Sequence, residues 1–433
     1  MDFNNNMTEE TKTEDVSTAA AANEEIIRNK ENEKKLRRRF VSGVLIGAMC
    51  MAFVCAALGI VLNLGPIGVD TGSEVMSTET AIKIRKLESL IDSCYYKTEV
   101  DKEKERDGLY KGLLSSLDDP YSVYYSQEDL KVFENDTEGI YFGIGAYVSM
   151  DNTINMPRIS KVMPGTPAEE AGIQADDIIT EVNKESVQGL TTEEVVSKIK
   201  GEEGTTVHLT LERESQKETV EVDVYRKKIE VPTVEAKKLD DGIGYIQITE
   251  FDDVTYNQFV ERMAELKSDE LNGLIIDLRS NPGGNLKIVC DIADQIIAKG
   301  NTIVYTVDRD GNRVDYTCEN DAKLDIPIVV LTNGYSASAS EILAGALKDY
   351  GLAKLVGTTT FGKGIVQSVY DLNDGTAVKL TVSSYYTPNG NNIHGIGIEP
   401  DVEIEFDAEA YAEDKSDNQL DKAVEVMKDL LDK

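Results

Sequence analysis

The chain has 433 residues, more than one hydrophobic core usually organises, so two or three folded units are expected. Its 45 Lys and Arg residues against 79 Asp and Glu residues give a net charge of −34. Such an acidic surface repels phosphate backbones, which argues against nucleic acid as a partner. His208 and His394 are the two histidines of the sequence, which disfavours a Ser-His-Asp triad and a multi-histidine metal site. The cysteines have no regular spacing, which disfavours a zinc site and a disulfide framework.

The N-terminal sequence predicts a membrane anchor. Residues 1–39 form a polar arm that ends in the basic cluster Lys34 to Arg39, and no charged residue follows until Asp70. The apolar stretch is long enough to cross a hydrocarbon core of about 30 Å, and we assign residues 40–66 to a transmembrane helix. The positive-inside rule then places the arm in the cytoplasm and the rest of the chain outside the cell. The stretch is long for a cleavable signal, which favours an uncleaved, single-pass anchor in the cell membrane.

Residues 74–137 are predicted to be helical. Apolar residues recur at helical spacing between Glu79 and Tyr96, which predicts a helix with one apolar face. A helix from a second copy of the chain would cover that face, so a homo-oligomer is one interpretation. A further helix is predicted from Glu103 to Leu117, because Pro120 disfavours helical geometry in the residue before it.

The remaining sequence divides into a β-rich part and an α/β part. Residues 138–226 contain short alternating strands and one amphipathic helix, Thr192 to Lys200, typical of a small β-rich domain. In residues 227–408, apolar strands alternate with helices, which indicates an α/β core. Two hairpins interrupt the core, one turning at Asp310-Gly311 and one at Asn373 to Gly375. Residues 409–433 are predicted to form a C-terminal helix.

A serine-rich segment at a strand-to-helix turn offers a candidate nucleophile. The apolar strand Ile328 to Leu331 runs into small residues and then into a predicted helix that starts near Ser338. A hydroxyl at such a turn lies beside unpaired N–H groups. A purely structural interpretation is equally specific: Ser338 and Glu341 have the spacing of a capping box, in which the serine serves only as the cap of the helix.

A lysine between two glycines offers a candidate base. The segment Gly357 to Lys363 resembles a phosphate-binding loop, but Gly364 stands where a Ser or Thr is required and a strand pattern follows. Lys363 is either an ordinary surface lysine or one partly desolvated by Phe361 and Ile365, which would lower its pKa and let its neutral amine accept a proton.

A turn after a buried-type strand offers N–H groups for an anion. The strand Leu274 to Leu278 breaks into Pro282-Gly283-Gly284 before the next helix. Backbone N–H groups in such a turn can point at an oxyanion, although the sequence alone also fits a merely tight turn.

Together these motifs resemble one family. The order D-L-R-x-N-P-G-G, S-A-S-A-S-E, T-F-G-K-G-x-V-Q, Y-Y-T-P-x-G and G-I-x-P-D is similar to that of the carboxyl-terminal processing peptidases, tail-specific Ser/Lys proteases of the S41 type. The resemblance covers about Leu113 to Val402. It implies a crotonase/ClpP-like α/β core with an inserted PDZ-like domain, and chemistry without a metal or organic cofactor. It assigns the nucleophile to Ser338, the general base to Lys363, the orientation of that lysine to Gln367, and the oxyanion hole to Ala339 with Gly283 or Gly284.

The same resemblance extends to the β-rich domain. Tyr141 to Val148 is similar to the carboxylate-binding loop and first strand of a PDZ domain, and Val162 to Ile173 resembles the segment that follows. Phe142, Gly143, Ile144 and Gly145 are then the predicted substrate-binding residues, through N–H groups that hold a peptide's terminal carboxylate. The implied function is that of a membrane-anchored serine endopeptidase acting on exported proteins with free C-terminal tails. The alternative is a membrane-tethered PDZ scaffold without activity that only binds such tails.

Overall fold

The computed structural model describes residues 74–267, 271–321 and 324–432. The predicted polar arm and transmembrane helix, residues 1–39 and 40–66, lie outside these residues. Among the described helices, none combines the length and the apolar character needed to cross a bilayer. The chain divides into two compact units, Met1–Lys102 and Glu103–Lys433.

The described part of the first unit is mainly one helix. Helix α1 (Thr78–Cys94) is capped by Ser77, whose hydroxyl accepts a hydrogen bond from Thr80 N–H. None of its residues is buried, and the side chains of Leu87 and Ile91 on the predicted apolar face are 55% and 38% exposed. The helix is confirmed, and its apolar face stays accessible.

The segment that leads to the β-rich domain contains two helices and one short strand. A full capping box at Ser126 and Asp129 begins the second of these helices, and Gly139 ends it with a positive φ of 67°. A left-handed residue at this position satisfies the last carbonyls of a helix, which is why glycine is favoured there. The elements are α2 (Lys102–Ser115), β1 (Val123–Tyr125) and α3 (Gln127–Glu138).

The β-rich domain is attached through a two-stranded stem. The stem strands β2 and β9 are antiparallel, and Val231 N–H donates to Gly139 O at its base over 2.8 Å. The domain's own sheet has the order β3-β4-β5-β7-β8, which leaves β3 at an edge. The elements are β2 (Ile140–Gly143), β3 (Ala146–Asp151), β4 (Met156–Val162), α4 (Pro167–Glu170), β5 (Ile178–Val182), β6 (Glu185–Ser186), α5 (Thr192–Ile199), β7 (Thr206–Arg213), β8 (Glu218–Tyr225) and β9 (Lys227–Glu230).

The α/β core is built on a six-stranded sheet with the order β10-β11-β12-β15-β16-β19, parallel except at the first pair. Strands β12 and β15 are buried along their whole length, which explains their continuous apolar sequences. The elements of this layer are β10 (Val234–Lys238), β11 (Ile243–Ile248), α6 (Thr255–Lys267), β12 (Gly273–Asp277) and α7 (Leu286–Ala293).

A second sheet follows the order β1-β18-β13-β14, with β17 also paired to β18. Its two hairpins turn at the predicted Asp310-Gly311 and Asn373 to Gly375 positions. The remaining elements are β13 (Thr302–Asp308), β14 (Arg313–Thr317), β15 (Ile328–Thr332), α8 (Ala339–Asp349), β16 (Ala353–Gly357), β17 (Ile365–Asp371), β18 (Ala377–Tyr386), β19 (Val402–Glu403), α9 (Ala408–Asp414) and α10 (Asn418–Leu431).

Two predicted helices differ from those in the structure. The helix predicted near Leu286 to Lys299 ends at Ala293, beyond which the backbone forms tighter turns: Gln295 N–H donates to Ile292 O and Ile296 N–H to Ala293 O. The C-terminal segment forms two helices separated at Lys415, which has a positive φ of 66°. Helix α10 packs its buried side chains Ala423 and Met427 with the core sheet.

Candidate active site

Ser338 stands at a strained turn between β15 and α8. Its φ and ψ are 55° and −113°, a conformation that L-residues rarely adopt and that a rigid surrounding must hold in place. The surrounding is visible in three hydrogen bonds: Ala337 N–H donates to Asn281 O, Ser336 Oγ–H to Leu278 O, and the Tyr385 hydroxyl to Ser338 O. The turn therefore presents the Ser338 side chain at the N-terminus of a helix.

The capping-box interpretation of Ser338 and Glu341 is half realised. Ser338 N–H donates to Glu341 Oε2 over 2.8 Å. In the opposite direction, Glu341 N–H donates to the backbone oxygen of Ser338, and not to its hydroxyl. The hydroxyl is thus left available for another role.

The Glu341 carboxylate joins the serine turn to the lysine turn. It is completely buried and accepts four hydrogen bonds. Oε2 accepts from Ser338 N–H at 2.8 Å and from Lys363 N–H at 2.9 Å, whereas Oε1 accepts from the Thr360 hydroxyl and Gly362 N–H. Sequence reasoning identified Glu341 only as a helix cap, because its bonds to residues 360–363 depend on tertiary structure.

Lys363 is half-buried, and its ammonium group lies 4.3 Å from the centre of the Tyr121 ring. Burial lowers the pKa of Lys363 from its usual value, and the charge of Lys379 lowers that pKa further, while Asp119 and Glu341 oppose the shift. Ser338 and Lys363 line the same cavity of about 550 Å³. Within the described residues, however, the Ser338 hydroxyl and Lys363 Nζ are not joined by a hydrogen bond; such bonds are often long in free enzymes.

Gln367 lines the same cavity from strand β17. Its side-chain amide donates to Thr381 Oγ1 over 3.2 Å on the neighbouring strand β18. The structure therefore brings Gln367 to the candidate site, but pairs it with Thr381 and not with Lys363.

The three predicted oxyanion donors also meet at this cavity. A Cβ on Gly283 would lie 2.7 Å from Ser338 Cβ, so only glycine fits against the serine. Gly283 N–H already donates to Asn281 Oδ1 over 2.8 Å. Gly284 N–H and Ala339 N–H have no hydrogen-bond acceptor among the described residues, so these two donors remain available.

The predicted carboxylate-binding residues do not form a single loop. Phe142 and Gly143 belong to β2 and pair with β9, whereas Ile144 and Gly145 form the turn before β3. Gly145 has a positive φ of 83°, and a Cβ on it would clash with Thr166. Since β3 is the edge strand, this turn leads directly to a free sheet edge beside α5.

Comparison with known proteins identifies three regions of the chain. Residues 242–404 match the model of peptidase family S41, residues 158–213 that of a PDZ domain, and residues 68–129 that of the activating protease CtpB N-terminal domain. A putative S41 protease from Bacteroides fragilis has a similar fold, with a TM-score of 0.51 at 18% identity over 79% of this chain and 97% of that one.

Two bacterial relatives are similar over most of their length. The carboxy-terminal processing protease CtpB of Bacillus subtilis is 39% identical over 327 residues, which cover 74% of this chain and 67% of the relative. A probable CtpA-like serine protease of Staphylococcus aureus is 35% identical over 389 residues, 89% of this chain and 76% of the relative. The chain therefore belongs to peptidase family S41 and is a carboxyl-terminal processing serine protease with a PDZ domain.

Proposed function

We propose that Ser338 and Lys363 are the catalytic dyad of this protease. The single observation that supports the pairing most strongly is the buried Glu341 carboxylate, which accepts hydrogen bonds from the backbone N–H of both residues. In the mechanism, the neutral amine of Lys363 removes the Ser338 hydroxyl proton while the oxygen attacks the scissile carbonyl. Lys363 then protonates the leaving amine, and water hydrolyses the acyl-enzyme.

The oxyanion of the tetrahedral intermediate is held by Gly284 N–H and Ala339 N–H. These donors are preferred because Gly283 N–H is already bonded to Asn281. Each donor of this kind contributes roughly 3 kcal/mol to transition-state stabilisation in comparable sites. Gln367 orients Lys363 in this scheme through its amide oxygen, which accepts a hydrogen bond from the lysine amine while the amide NH₂ group donates to Thr381 Oγ1.

The PDZ domain selects substrates by their free C-terminal tails. The free edge of β3 offers a partner for an extended peptide, and the adjoining turn at Ile144 and Gly145 offers N–H groups to its carboxylate. Exported proteins with accessible tails are the proposed substrates.

We expect two otherwise identical peptides, one ending in a carboxylate and one in an amide, to differ in kcat/KM by roughly tenfold or more. An amide has no negative charge, and losing a charge-assisted hydrogen bond costs about 1.5–3 kcal/mol. The measurement uses residues 71–433 and peptides long enough to reach both the PDZ domain and the protease core. Equal values of kcat/KM would show that the carboxylate is not recognised, while leaving the serine chemistry in place.

The protease is proposed to be anchored in the cell membrane by residues 40–66, with its N-terminus in the cytoplasm. We expect an impermeant thiol reagent to label Thr219→Cys in intact cells but not Ala20→Cys, because the basic residues before the apolar stretch stay inside. Exposed Cys94 is replaced by serine in both variants so that it does not react. Labelling at position 20 with protection at position 219 would reverse the proposed topology.

A further inference from the structure

The ammonium group of Lys363 has an aromatic partner in a distant part of the chain. Among the described residues, no hydrogen bond or ion pair engages Lys363 Nζ, and the contact that the structure gives it is the ring of Tyr121, whose centre lies 4.3 Å away. A cation within about 6 Å of a ring centre is attracted by the negative face of the π system. Tyr121 does not line the catalytic cavity, so any effect that it has on the reaction passes through the lysine.

The turn that carries Tyr121, residues 119–122, is hydrogen-bonded to strand β18. Tyr121 N–H donates to Asp119 Oδ1 over 3.0 Å, and the Ser122 hydroxyl donates to Asp119 Oδ2 over 2.6 Å. The hydroxyl oxygen of buried Ser122 in turn accepts Thr381 N–H of β18 over 3.0 Å. Thr381 Oγ1 also accepts the Gln367 amide from β17, the strand that begins just after the candidate base. One connected set of hydrogen bonds therefore fixes the ring relative to the strand that follows the lysine.

Asp119 adds a negative charge beside the lysine. Burial raises the pKa of Asp119, but hydrogen bonds from the 119–122 turn and from β18 outweigh burial and hold that pKa below its usual value. The carboxylate is therefore ionised at neutral pH. Burial and the charge of Lys379 lower the pKa of Lys363, whereas the charges of Asp119 and Glu341 raise it. Asp119 thus favours the ammonium form of the lysine, as the ring of Tyr121 does.

The ammonium form is the one that the reaction creates. Lys363 starts as a neutral amine and becomes an ammonium group when the Ser338 proton moves from Oγ to Nζ. A π face and a carboxylate stabilise an ammonium group more than they stabilise a neutral amine. An interaction that is stronger in the transition state than in the starting state raises kcat. The ring also restricts a long, flexible side chain, and a base must stay within hydrogen-bond reach of the proton that it takes.

We propose that Tyr121 and Asp119 are positioning residues for the base: the ring of Tyr121, held by Asp119, keeps Lys363 Nζ in place, and both groups stabilise the ammonium form that arises when the lysine takes the Ser338 proton. The inference rests on the proposed dyad of Ser338 and Lys363. It extends the catalytic machinery to the segment of the chain that precedes the PDZ domain.

The test compares Tyr121→Leu with Tyr121→Phe in the full-length chain, using a peptide that the wild-type protein cleaves. Leucine keeps an apolar side chain beside the lysine but has no π face, so the ammonium form loses stabilisation and the pKa of Lys363 falls. We expect kcat of Tyr121→Leu to fall about tenfold on the high-pH plateau, and the midpoint of its pH profile to move down by about one unit. Tyr121→Phe keeps the ring and should keep the wild-type kcat and midpoint.

Tyr411→Leu is the matched control, because its ring lies 5.0 Å from the ammonium group of Lys415 and does not line the catalytic cavity. Both readouts should stay at their wild-type values in this variant. If Tyr121→Leu does not fold, Asp119→Asn removes the neighbouring negative charge and should also move the midpoint to lower pH. A midpoint that stays in place or rises in the folded variant would overturn the positioning role alone. Near-normal turnover in Lys363→Ala would instead overturn the dyad, and the positioning role with it.

Discussion

Replacing Lys363 by alanine is expected to lower kcat for peptide hydrolysis by about four orders of magnitude or more, as is Ser338→Ala. Both residues act in one proton transfer, so removing either removes the whole step, and the double variant should be no worse than the singles. Lys363→Arg should be equally inactive, because a guanidinium stays protonated at any working pH. Steady-state peptide hydrolysis gives kcat, and circular dichroism shows whether each variant is folded.

The pH profile provides the control for this assignment. Lys363 must be neutral to act as a base, so the rate should rise with pH as its ammonium group loses a proton. Because burial and the charge of Lys379 lower the pKa of Lys363, the midpoint of this rise should lie below the ordinary lysine value of 10.5. Lys379→Met removes one of these causes and should move the rise to higher pH. Near-normal turnover in Lys363→Ala would contradict the dyad, and covalent labelling of Ser338 by a serine-directed reagent would still show whether the serine is reactive.

Glu341→Gln is expected to lower kcat by about a hundredfold or more and to destabilise the fold by about 3 kcal/mol. Each carboxylate oxygen accepts two hydrogen bonds, one pair from Ser338 and Lys363 and the other from Thr360 and Gly362. If Oε2 becomes an amide NH₂, the N–H groups of Ser338 and Lys363 both face a donor at zero exposure. If Oε1 becomes the NH₂, Gly362 N–H faces a donor, whereas the Thr360 hydroxyl can turn to accept. The loss should fall on kcat more than on KM, because Glu341 positions the serine and lysine but does not line the cavity.

The readouts are steady-state kinetics and thermal unfolding. Glu409→Gln on exposed α9 is the matched control, since it makes the same chemical change without a buried partner. A Glu341→Gln protein with wild-type kcat would show that the two turns hold their positions without the shared carboxylate, even if the unfolding temperature fell.

The sequence predicted most of the core elements because their signals are local. The apolar strands β12 and β15, the helix after Ser338 and both Gly-containing hairpins follow from spacing and turn chemistry within a few residues. Helix ends were less predictable. Helix α7 ends at Ala293 with a change to tighter turns at Gln295 and Ile296, and the apolar spacing of the sequence continues through this change without marking it.

The candidate site was predictable only in its local motifs. Resemblance to a family assigned catalytic roles to Ser338, Lys363 and the glycine turn. It did not show the buried Glu341 carboxylate that links the serine and the lysine, or the hydrogen bond from Gly283 N–H to Asn281. Contacts between distant segments determine these properties.

The stem of the PDZ domain has a consequence for how the chain is organised as modules. Since Gly139 O and Val231 N–H are hydrogen-bonded, the polypeptide leaves the protease core and returns to it at neighbouring points. If the PDZ domain were replaced by a short hairpin turn, joining the two neighbouring ends of the core would cost little loop entropy. The core sheet also contains no strand from the PDZ domain. The PDZ domain is thus an insertion whose two ends meet at one point, and we expect its exchange for another such domain to leave the strands of the core sheet in place.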